Sequence, residues 1–112
     1  CSLVNAAATA QTILAESPKL VTIVAMGWAG TKRSDEDEQC ALYVRNLLQG
    51  RQPDREAVRS LVLSGAESQK FDDPSQPHFH REDRNLALNI DGIPVPVRWV
   101  RRDDHIIAEA SS

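Results

Sequence analysis

The chain is expected to be an α/β protein, a three-layer α/β/α arrangement whose partial sheet comprises a parallel crossover and a C-terminal hairpin. Three stretches predict this. Leu20–Val21–Thr22–Ile23–Val24–Ala25–Met26 is a short apolar run rich in β-branched residues and without alternation, the pattern of a strand buried on both faces. Gly27 and Gly30 follow it, then Ser34–Asp35–Glu36–Asp37–Glu38 opens a helical pattern. Strand, glycine loop and helix start are the order in which open α/β sheets place ligands beyond the strand ends. The third stretch lies near the C-terminus, where Val95, Val97 and Trp99 alternate with Pro94, Pro96 and Arg98 at the period of a strand.

The elements follow in order. Leu3–Val4 reads as the end of a strand, and Asn5 as the N-cap of a helix through Ala6–Glu16 with Ala7, Ala10, Ile13 and Leu14 on one face. Ser17–Pro18 stops that helix, because a residue before proline avoids the α region. The Leu20 strand then completes a right-handed parallel crossover. Ser34, with Asp37 three residues on, resembles a capping box, and the acids of the first turn suit the helix dipole. Cys40, Ala41, Val44, Leu47 and Leu48 form the apolar stripe, and Gly50 is the stop. Pro53, Asp54 and Glu56 begin a third helix with Ala57, Val58, Leu61 and Val62 inward, ended by Ser64–Gly65. Ala66–Phe71 reads as a further helical turn, Asp72 to Pro77 as a two-proline loop, and Glu82–Leu88 as a short helix. The prolines place the Val95–Trp99 strand at a sheet edge or a strand start, and a turn at Arg102–Asp103–Asp104 leads to a return strand, His105–Ala108.

A length of 112 residues predicts one domain with a modest core. Hydrophobic content of 41% and charged content of 26% are ordinary for a globular chain. A net charge of −3 argues against nucleic-acid binding by overall charge, and the longest apolar run is too short to span a bilayer. Cys1 and Cys40 lack metal-type spacing and make no disulfide framework, so a reducing cytoplasm is the expected compartment. A chain opening on Cys1–Ser2, with no initiator Met, is expected to be a cut or split chain whose earlier residues lie elsewhere. The alternatives are a lipidated Cys, which would usually continue into a polar tether, and an N-terminal-nucleophile hydrolase using the Cys1 thiol.

The candidate chemistry centres on residues 27–38. Gly27–Trp28–Ala29–Gly30–Thr31–Lys32 departs from the Walker spacing, but amides of a glycine turn before a helix can hold an anion. The plainer reading is that the glycines simply permit the turn. Four carboxylates in Asp35–Glu38 would repel a phosphate at the same helix start unless Lys32, Arg33 or a divalent metal intervenes. Mg²⁺ suits that role, since it binds through one or two carboxylates while keeping waters and substrate oxygens. The plainer reading of the acids is a solvated helix cap. His78 and His80 flank Phe79 near Glu82 and Asp83, a weak transition-metal pattern in a loop-like stretch.

Ser2–Leu3–Val4–Asn5–Ala6 before an alanine-rich helix, Val21–Thr22–Ile23–Val24–Ala25 with Gly27, Ser34 through Ala41, and the closing Asp83…Leu86–Ala87–Leu88 and Val95–Pro96–Val97 together resemble the C-terminal half of the 2-phosphosulfolactate phosphatase family. The resemblance covers most of residues 2–110. It implies a Mg²⁺-dependent phosphatase that removes phosphate from 2-phospho-3-sulfolactate, a small polyanionic phosphoester, on the way to coenzyme M. By resemblance, Asn5, Glu36 and Asp37 are catalytic positions, Glu36 and Asp37 also the metal pair; Gly27 is carried over too and, with Gly30 and Lys32, is expected to bind substrate. The family's N-terminal half supplies an Asp–x–x–Arg–Ala–Thr–Thr type motif and a Thr–Asn–Gly–Thr segment, both absent from this chain. The resemblance thus implies a missing N-terminal half, and the Leu20–Met26 strand, which needs neighbours on either edge, makes that half or another protomer the expected partner and a homo-oligomer the expected state. A non-catalytic α/β partner domain is the alternative of a different class.

Overall fold

The computed structural model describes residues 1–65, 75 and 80–111, and within these the chain is a small mixed α/β domain. Its elements are helices α1 (Ala6–Glu16), α2 (Asp35–Leu48), α3 (Arg55–Leu63) and α4 (Arg81–Ala87), then strands β1 (Val97–Arg102) and β2 (His105–Ala110). The stretch expected to add a helical turn at 66–71, most of the two-proline loop and His78 lie outside the described residues.

Alpha-helical patterning accounts for the first three helices. α1 spans the expected residues and ends at Ser17, which turns left-handed (φ 49) and returns its N–H to the Leu14 carbonyl. α2 ends before Gly50, whose φ of 77 suits a residue without Cβ. At α3 the Asp54 carboxylate accepts from the Glu56 and Ala57 N–H groups, a side-chain cap in full. α1 packs on α2 and α2 on α3. The core between them is Leu3, Ala6, Cys40, Tyr43, Val44, Val58 and Val62, closed by Leu88 and Ile90. The inward face of α3 is narrower than expected: Ala57 and Leu61 are exposed, and the buried stripe is Val58 and Val62, packed toward α2 and the Leu88–Ile90 turn.

The sheet differs more. Among the described residues its only strands are β1 and β2, antiparallel, from Val97 opposite Ala110 to Arg102 opposite His105. The expected hairpin is there, turned at Asp103–Asp104 with Asp103 left-handed (φ 55). The parallel crossover is not formed. Leu3–Asn5 is a single 3₁₀ turn, closed by the Asn5 N–H on the Ser2 carbonyl, and Leu20–Met26 pairs with no strand among the described residues. A backbone ladder needs a neighbouring strand, and no described strand pairs with Leu20–Met26. Its side chains are correspondingly open: Leu20 is 83% exposed, Val24 67% and Met26 69%.

The start of the chain is held from the other end. The Asp91 N–H donates to the Leu3 carbonyl (3.0 Å) and the Ile93 N–H to the Val4 carbonyl (2.8 Å). Asn5, the buried polar residue of this region, occupies the N-cap position of α1 without capping through its side chain. Its Oδ1 accepts from the Ser2 N–H and its Nδ2 donates to the Val95 carbonyl, so it ties the entry turn to the segment leading into β1.

Candidate functional site

The four acids that open α2 face different partners. Asp37 Oδ2 accepts the Gly27 N–H at 2.8 Å, so the first turn of the helix grips the glycine turn before it. Glu38 pairs with Arg33, which donates through Nη2 (2.6 Å) and Nε. This pairing raises the Arg33 pKa and lowers that of Glu38, the hydrogen bond being the larger cause in both. Asp35 lies against Gly65 at the end of α3, where a Cβ would fall 2.1 Å from its carboxylate. Glu36 lines a cleft of about 350 Å³ together with Asp37, Cys1, Cys40 and the 21–26 segment. Such a volume suits a small ligand. Ser34 holds the N-cap position of α2 but makes no side-chain cap, Asp37 being turned to Gly27 instead of forming the expected capping box.

The glycine turn is closely built. The Trp28 N–H donates to the Lys32 carbonyl (2.8 Å), and the Thr31 and Lys32 N–H groups return to the Trp28 carbonyl. Ala29 and Gly30 are left-handed at φ 52 and 69. Gly27, Gly30, Thr31, Lys32, Arg33 and Ser34 line a shallow hollow of about 300 Å³ next to the main cleft, and Ala25 and Met26 line both. The structure thus brings Gly27, Glu36 and Asp37 to one place, with Gly30 and Lys32 on the adjoining hollow. Asn5 does not line either space. Among the described residues no three or more His, Cys, Asp or Glu side chains form a group able to hold a metal ion. His80, one of the two expected histidines, is the N-cap residue of α4.

Sequence reasoning missed a second cluster. Asp91 Oδ1 accepts the Ala7 N–H (2.8 Å), and its Oδ2 accepts from Tyr43 Oη (2.5 Å) and Arg55 Nη2 (3.1 Å). Arg55 Nε also donates to Tyr43 Oη. Burial, then the hydrogen bond to Asp91, raises the Tyr43 pKa. The available signal was Asp91–Gly92 between apolar residues, a turn dipeptide whose carboxylate had no assigned partner.

Cys40 is buried on the cleft wall. Burial pushes its thiol up to about 11, and the nearby Glu36 and Asp37 carboxylates push the same way. At pH 8 only about one part in a thousand is then thiolate. A maleimide should modify Cys1, which is exposed, well before Cys40; comparable rates at the two positions would contradict this burial. Because the folded value is raised, the stability Cys40 contributes is complete below the ordinary thiol range and is lost as pH rises toward 11.

No helix among the described residues is long and apolar enough to cross a membrane. Comparison of the chain with family models, curated proteins and solved structures gives no significant match.

Proposed function

We propose that this chain is the C-terminal part of a cytoplasmic Mg²⁺-dependent phosphatase acting on a small anionic phosphoester, with 2-phospho-3-sulfolactate the substrate that the resemblance implies. The observation that carries the reading is the grip of Asp37 on Gly27, which sets two carboxylates and a glycine turn beside one small-ligand cleft. Two carboxylates are the donor set from which Mg²⁺ is usually held, the other positions going to water and phosphate oxygens. Glu36 and Asp37 would hold the ion, Asp37 through Oδ1, since Oδ2 is taken by Gly27. The ion would supply charge neutralisation at a phosphoryl oxygen. Lys32 and the turn around Gly27 and Gly30 would bind the remaining anionic oxygens. Asn5, catalytic by resemblance, would serve by fixing the entry turn against Val95.

The bare Leu20–Met26 segment supports a partner. A strand apolar on both faces needs neighbours on either edge and helices on both sides. In this reading the missing N-terminal half, or another protomer, completes a three-layer sheet around it and brings the motifs this chain lacks.

The test is phosphate release from 2-phospho-3-sulfolactate, with Mg²⁺, by the complete protein. Asp37→Asn retains an oxygen for the Gly27 N–H but removes the charge. Turnover should fall by about two orders of magnitude while the melting temperature holds. Turnover equal to wild type would remove Asp37 from the metal role.

A further inference from the structure

The hairpin stands outside the core with both faces largely open. Trp99 is 72% exposed and Ile106 55%, on the face that also carries Val97 and Ala108. An isolated two-stranded hairpin is marginal in water, and an unpaired edge invites another strand. We propose that β2 pairs with β2 of a second copy, antiparallel about Ile107, giving a continuous four-stranded sheet in the order β1–β2–β2–β1.

The register follows from the backbone. The Ser111 N–H donates to the Pro96 carbonyl, so the odd-numbered residues of β2 face β1 and Ile106, Ala108 and Ala110 direct their N–H and C=O groups outward. Outward residues must pair with outward residues, which limits the two-fold to whole steps of that pattern and keeps like faces together. Centring on Ile107 sets Ile106 against Ala108 of the second copy, Ile107 against Ile107, and His105 against Glu109. Centring on Ala108 would set Ile107 against a carboxylate. Centring on Ile106 would set Asp103 against Glu109, a like-charge pair. Arg102 holds Glu109 through Oε1 only, leaving Oε2 for His105 of the second copy.

The readout is mass, independent of any phosphatase activity. Sedimentation of the full chain should show a concentration-dependent dimer. Ala108→Pro removes an outward N–H without touching the bonds to β1, a place where an edge strand tolerates proline. It should weaken the dimer at least about tenfold while cross-strand NOEs between β1 and β2 persist. In a Cys1→Ser background, Ile107→Cys should oxidise to a covalent dimer and Ile106→Cys should not, because only position 107 meets itself. A monomer at all concentrations, a dimer indifferent to Ala108→Pro, or equal cross-linking at 106 and 107 would each overturn the proposal.

Discussion

Asp91→Ala should cost about 3 kcal/mol of stability. The side chain is 8% exposed and serves three donors on three elements: the Ala7 N–H at the start of α1, Tyr43 on α2 and Arg55 on α3. Its loss leaves the Tyr43 O–H and the Ala7 helix amide without an acceptor. Arg55 suffers less, because its side chain is half exposed and rehydrates. Backbone strain is a separate contribution, as Asp91 is left-handed at φ 59. Asp91→Gly relieves that strain yet removes the same contacts, so it should remain clearly destabilised. Asp91→Asn keeps an acceptor for Ala7 and should fall between these variants and wild type. Urea unfolding checks all three. An Asp91→Ala protein within about 1 kcal/mol of wild type would show that the cluster is not what joins α1, α2 and α3.

Gly27→Ala should be the most damaging single change in the candidate site. Gly27 has φ 70, and a Cβ there would lie 2.2 Å from the Lys32 carbonyl oxygen, a backbone atom that cannot move aside without opening the turn. Opening it breaks the Trp28–Lys32 pairing and withdraws the N–H that Asp37 accepts. We expect a loss of about 2–4 kcal/mol, combining left-handed strain with the clash. Gly30→Ala is the control. Its φ is 69, but no atom lies within 4 Å of the added methyl, so only the conformational cost of about 1 kcal/mol remains. Hydrogen exchange at the Trp28 amide should accelerate strongly in Gly27→Ala and weakly in Gly30→Ala. Equal effects of the two changes would mean that the close approach at Lys32 does not hold the turn.

Local chemistry made the helices and the hairpin legible from sequence. The alanine-rich 6–16 stretch, the acidic opening of α2, Asp54 ahead of α3 and the alternation before Asp103 each act within a few residues of themselves; the three helices lie where expected, while the strand begins at Val97, later than the alternation from Pro94 suggested. Residues 27 and 37 were legible as a glycine turn and an acidic helix start, though the bond between them was not, since ten residues separate donor and acceptor. Strand pairing at Leu20–Met26 was beyond reach for a different reason. Its apolar run specifies a segment that wants two neighbours, but a neighbour is a property of some other stretch of backbone, and none of the described segments pairs with it as a strand. Asp91 is the plainest case. Asp91–Gly92 carries a turn signal that went unread in the sequence; only the tertiary structure, by returning that turn 84 residues later to the first turn of α1, made its carboxylate the joint of three helices. A buried charge takes its partners from whatever the fold brings within about 3 Å, a distance that no spacing along the chain encodes.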